Sequence, residues 1–201
     1  LTNLLAKLVL ALGVHTLDGS RPTALRIADE VCLQMQLLNL SFVLAVKNRA
    51  TDAAQVADIC TKQLIGIAGV AAERIQRALK LPNDFHGLSQ VLELHPLFNP
   101  AGYVVAEIEG GRLHVHPSPA HQDGSWISLC SPASVQPLQA IATAIDPHIA
   151  VRITGTADDW TAEFEKSDTA AKEAPEVEVT KFSGGATFEF QQRRSLPLTV
   201  V

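Results

Sequence analysis

Two stretches of helical apolar periodicity, Pro22 to Arg49 and Ala53 to Leu81, restrict what this chain can fold into more than any other feature. In the first, Ile27, Val31, Met35, Leu38, Phe42 and Ala45 recur at intervals of three and four, which collects them on one helix face. Leu25, Ala28, Cys32, Leu37, Leu40 and Leu44 widen the stripe, and from Leu37 to Val46 only Asn39 and Ser41 are polar. A helix that is apolar nearly all round must be covered on more than one side. Ser20 as cap, Pro22 in the first turn, and Lys47 and Arg49 at the negative end agree with these bounds.

The second stretch opens on Thr51 or Asp52 as cap. It gathers Ala53, Val56, Cys60, Leu64, Ile67, Ala71, Ile75 and Ala78 inward, and Pro82 stops it. Gly66 and Gly69 lie mid-helix, where each costs about 1 kcal/mol against alanine. Two uses justify them: close approach of another backbone, and room for an apolar ligand between the helices. At about 1.5 Å per residue each helix is about 40 Å long. Two such helices cannot bury stripes this wide against each other. The expectation is therefore a long antiparallel hairpin that pairs with a second copy into a four-helix core. The competing cover is the leucine stripe Leu4, Leu5, Leu8 and Leu12 together with the C-terminal unit.

Beyond a connector at Asp84–Pro100 the period changes from helix to strand. Val104, Ala106 and Ile108 alternate with polar positions, Gly110-Gly111 makes a two-residue turn, and Arg112 to His116 returns. That turn pairs Ile108 with Leu113, Ala106 with Val115, Glu109 with Arg112 and Glu107 with His114. A helix over Ser134–Ile145 follows a short strand at Trp126–Leu129. Ile149–Thr154 and Trp160–Glu165 form a second hairpin, and Val177–Phe190 a third around Ser183-Gly184-Gly185. The fold class is α+β: a helical hairpin (residues 1–82, the dimerisation domain) and a mostly antiparallel sheet covered by one helix (residues 100–201).

Composition narrows the partners. With 16 Lys and Arg against 21 Asp and Glu, the net charge is −5 and the basic residues are scattered, so nucleic acid is not an expected partner. Three cysteines, Cys32, Cys60 and Cys130, match no metal or redox spacing and read as thiols of a reducing, cytoplasmic setting. No uninterrupted apolar run has the length of a membrane span. The chain begins at leucine, which leaves open a preceding domain or signal.

The one cluster with metal-ligand chemistry is His114, His116, His121 and Asp123. On a strand His114 and His116 point the same way, and His121 or Asp123 would complete the set. A solvated hairpin face explains the same histidines without a metal. There is no G-x-S-x-G, P-loop or G-x-G-x-x-G, and no cofactor is indicated.

The layout, a long helical hairpin followed by a helix-covered sheet, resembles sensor histidine kinases and the histidine phosphotransferases derived from them. The segments Pro137–Thr154 and Trp160–Asp168, then Ser183-Gly184-Gly185-Ala186-Thr187-Phe188-Glu189-Phe190 and Leu196-Pro197-Leu198, are loosely similar to the end of their ATPase-like domain. The first helix carries no histidine, and no D-x-G-x-G follows Asp168, so the resemblance implies a relative without that chemistry. The functional expectation is thus a non-enzymatic dimeric interaction or regulatory module with a possible protein partner. Its rivals are a binder or enzyme for an apolar small molecule at Gly66 and Gly69, and a metal-dependent enzyme at the histidines.

Overall fold

The computed structural model describes residues 21–98, 103–109, 111–122 and 134–172. They form α1 (Arg21–Lys47), α2 (Ala53–Leu79), α3 (Phe85–Leu94), β1 (Val105–Glu109), β2 (Arg112–His116), a 3-10 turn (Pro119–His121), α4 (Gln136–Ile145), β3 (Ile149–Gly155) and β4 (Trp160–Lys166). The α+β class is as expected. The short strand at 126–129, the third hairpin at 177–190 and the leucine stripe before residue 13 lie outside the described residues.

Local chemistry fixes the helix ends. The Asp52 carboxylate accepts from the Gln55 N–H at 2.8 Å and opens α2. Asp84 does the same for α3, accepting from the Gly87 N–H at 2.9 Å. Lys80 closes α2 in the left-handed region at φ 55°. Gly87 has no substitute, because a Cβ there would lie 1.9 Å from the Pro82 carbonyl oxygen.

The four strands are antiparallel in the order β1-β2-β4-β3. The first hairpin has the register its turn dictates: Ile108 opposite Leu113, Ala106 opposite Val115, Glu107 opposite His114 and Glu109 opposite Arg112. Strand β4 then enters between β2 and β3, placing Thr161 beside His114 and Trp160 beside Val115.

Helix α4 lies between the sheet and α2. Leu138, Ala140, Ile141, Ala142 and Ile145 are all buried, and the Gln139 side chain ties the helix to β3. Its Nε2 donates to the Ile149 carbonyl at 2.8 Å, and its Oε1 accepts from the Val151 N–H at 3.0 Å. Against α2 the approach is tight: a Cβ on Gly69 would sit 3.2 Å from the Ala140 carbonyl oxygen. Of the two uses foreseen for the mid-helix glycines, Gly69 therefore serves backbone approach.

One continuous core follows. Leu64, Ala68 and Ala72 of α2 pack with Leu88, Val91 and Leu92 of α3, Leu113 and Val115 of β2, Ile141 and Ile145 of α4, and Trp160 of β4. Helix α2 is thus part of the same core as the sheet, and its principal partner is α4 rather than α1. Helix α1 is held by a smaller contact, Val43 against Val56 and Cys60. The buried Gln36 Nε2 also donates to the Pro96 carbonyl at 2.7 Å. Cys32 and Cys60 are buried free thiols, and burial raises both above the ordinary thiol range.

Candidate functional site

Two places stand out, one on α1 and one on the sheet. The first is the outer face of α1. The side turned to α2 carries Cys32, Gln36 and Val43. The flank next to it carries Ala24, Ala28, Val31, Met35, Leu38, Phe42 and Ala45, all exposed. Their spacing alternates four and three without a break, the pattern of a two-helix packing seam. Leu38 is 72% exposed and Val31 49%. Leu37 and Leu44 extend the apolar surface to the opposite flank. The row that the sequence collects on one face of α1, Ile27, Val31, Met35, Leu38, Phe42 and Ala45, is exposed along its length. A run of large apolar side chains in water is the informative departure here, since scattered exposed leucines need no explanation.

Beside this seam lies an apolar cleft of about 320 Å³. Met35, Leu38 and Phe42 wall it on α1, Leu64, Ile67 and Ala68 on α2, and His95, Pro96 and Leu97 close its end. Gly69 does not line it. Gly66 lies within α2. His95 is fully buried. Its Nδ1 accepts from the Leu97 N–H at 3.2 Å, so in the neutral ring Nε2 carries the proton and donates to the Ala68 carbonyl at 3.1 Å. Burial holds its pKa down at about 4, against the favourable Ala68 contact. His95 is therefore a neutral strut that joins the 95–97 segment to α2.

By length and composition alone α1 is long and apolar enough to cross a membrane: an 18-residue window within Pro22–Lys47 has a mean hydropathy of 1.3, and 17% of that window is buried. This holds although no apolar run in the stretch is uninterrupted. Gln34, Gln36, Asn39 and Ser41 break the run without adding charge, so the average stays high.

The second place is the wet face of the hairpins. His114 and His116 project to the same side of β2, with ring centroids 4.0 Å apart. Their neighbours Leu113 and Val115 point the other way and are fully buried, which locks the strand's facing. The His114 Nε2 lies 2.8 Å from Asp159 Oδ1, and the His116 Nε2 lies 3.5 Å from Glu107 Oε2. His121 is not part of the group. Its Nδ1 accepts from the Ser118 N–H at 3.2 Å and from the Ser118 hydroxyl at 3.0 Å, which braces the 3-10 turn. Burial pushes its pKa below the ordinary value. Asp123 lies outside the described residues.

Three residues take places that the sequence reading did not give them. Asp159 is 45 residues from His114 and reaches it only because β4 pairs with β2. Gln36 and His95 bond to backbone carbonyls far along the chain, which no periodicity signals.

No family model, no curated protein and no solved structure matches this chain. The resemblance to sensor histidine kinases is accordingly one of layout.

Proposed function

We propose that this protein is a self-associating interaction or regulatory module, in which the seam on α1 pairs with the same seam of a second copy. The observation that carries this reading is the unbroken four-three alternation of Val31, Met35, Leu38, Phe42 and Ala45 on an exposed flank of α1. An identical surface on both subunits suits a two-fold interface. The cleft beside the seam fits the same reading, because its α1 wall is Met35, Leu38 and Phe42, and a partner's side chain entering there packs as a knob into a hole.

Two alternatives use the same surface. Insertion of α1 into a bilayer would strip water from Asn39 and Gln34 and pull Gln36 from the Pro96 carbonyl. An apolar small molecule would occupy the cleft alone and leave Val31 and Ala45 uncovered. Native mass spectrometry of the full chain, with a vesicle co-sedimentation assay, separates the three. The proposal expects twice the chain mass of 21.5 kDa, with no retained small molecule and no vesicle binding. A bare monomer, or vesicle binding that requires the seam, overturns it.

A further inference from the structure

We infer that His114, His116 and Asp159 form a binding site for a zinc-class divalent cation on the wet face of the sheet, independent of the helical seam. One ligand atom from each of the three residues lies within 4.8 Å of the others. A tetrahedral zinc with bonds of about 2.0–2.1 Å holds its ligand atoms about 3.4 Å apart, so a small rotation of the side chains closes the set. His114 Nε2 and Asp159 Oδ1, at 2.8 Å, already share a proton that a cation would replace.

The donors are supported from behind. Burial of Leu113 and Val115 fixes the direction of both imidazoles. Asp159 sits in the β3–β4 turn, which is braced by the Thr156 N–H donating to the Asp159 carbonyl at 2.7 Å. The Asp159 N–H donates in turn to the Thr156 hydroxyl at 3.1 Å. At φ +125°, Gly155 takes a backbone conformation that side chains resist, and this lets the turn bring Asp159 back over β2.

Two further observations favour a cation over a plain ion pair. The His116 Nε2 is shielded from water and has no hydrogen-bond partner among the described residues, although Glu107 lies 3.5 Å away. A shielded ring nitrogen without a hydrogen bond is costly unless something is bound there. The Asp159 and Glu107 carboxylates beside the two imidazoles also balance the charge of one divalent ion. A recess lined by Glu107, Glu109, Arg112, His114 and Thr161 adjoins the set at His114, and water or an anionic group of a ligand there would complete the coordination.

The test is isothermal titration of zinc chloride into chelator-treated full chain near neutral pH, paired with the visible spectrum of the Co²⁺-loaded wild type. One ion per chain is expected, bound at micromolar or tighter affinity, with a cobalt spectrum of a four-coordinate nitrogen and oxygen site. His116→Asn and Asp159→Asn each weaken binding at least tenfold, while His121→Asn leaves it unchanged. Leu38→Gln, which disrupts the proposed seam, also leaves it unchanged, so failure of either proposal is separable from failure of the other. Absence of stoichiometric uptake by the wild type overturns the site, as does equal uptake by the Asp159→Asn and His116→Asn proteins. If either variant fails to fold, the wild-type titration and the cobalt spectrum decide.

Discussion

Replacing His95 by glutamine should make the protein resist mild acid. In the native fold the ring is fully buried and neutral, bonded through Nε2–H to the Ala68 carbonyl and through Nδ1 to the Leu97 N–H. Its pKa is about 4, against 6.5 for a free imidazole. The folded value is the lower one, so between these values the unfolded chain takes up more protons. Stability is therefore complete above pH 6.5 and falls as the pH drops toward 4. A shift of about 2.5 units at about 1.36 kcal/mol each sets a ceiling of about 3.4 kcal/mol. Integrated from pH 7, the loss is about 2 kcal/mol at pH 5 and about 3 kcal/mol at pH 4. Glutamine keeps one donor and one acceptor for the same two carbonyl and amide partners but takes up no proton. Its own cost is a constant offset and does not alter the pH slope. Urea unfolding of both proteins from pH 4 to 7 gives that slope, and the wild type should lose about 3 kcal/mol more than His95→Gln. Burial lowers the pKa of His121 as well, but His121 is common to both proteins and cancels. The Asp146 carboxyl, held below its ordinary range by Lys166 and the His148 N–H, titrates lower still. Parallel stability curves for the two proteins would refute a buried neutral His95.

Three further predictions follow from the packing. Gly87→Ala should destabilise the fold by several kcal/mol in urea unfolding, because the new methyl meets the Pro82 carbonyl at 1.9 Å, whereas Gly111→Ala, at φ +78° in open space, should cost about 1 kcal/mol. Gln36→Leu should loosen α1 from the 95–97 segment, seen as faster amide exchange in α1 with little change in the sheet, since it removes the 2.7 Å bond to the Pro96 carbonyl. Arg152→Ala should change stability by no more than about 1 kcal/mol despite its pairing with Glu163, because the Arg152 side chain is 64% exposed and water screens it.

How much of this was readable in the residues depends on how far apart the partners lie. The β1–β2 register was fully determined locally, because the Gly110-Gly111 turn and the alternation of Ala106 and Ile108 with Glu107 and Glu109 agree. The two long helices were equally legible from their period, whereas Leu88, Val91, Leu92 and Leu94 of the connector fitted a short helix or a turn alike, and form a helix. The placement of β4 beside β2 was not, because a non-local pairing leaves no mark on either strand, and Asp159 was hidden with it. His121 was grouped with His114 and His116 by sequence proximity, yet the 3-10 turn points its ring into its own loop. On α1 the width of the apolar stripe was plain, but the side facing α2 was not. That side is marked by a polar residue, Gln36, whose partner carbonyl at Pro96 lies 60 positions away.

The central claim, pairing of two copies through α1, is tested most directly by sedimentation equilibrium on the wild type, Leu38→Gln and Leu79→Gln. Leu38 keeps 72% of its surface in water, so a partner has most of the about 1.5–3 kcal/mol of a leucine's burial still to gain. That is about 1–2 kcal/mol per copy and about 2–4 kcal/mol per dimer, or roughly 30- to 1,000-fold in dissociation constant. Leu79 is also exposed, at 53%, but lies at the far end of α2, outside the seam. The account predicts a wild-type dimer, the same dimer for Leu79→Gln, and dissociation weakened by that factor for Leu38→Gln. A wild-type monomer at tens of micromolar, or equal dissociation constants for wild type and Leu38→Gln, would contradict it.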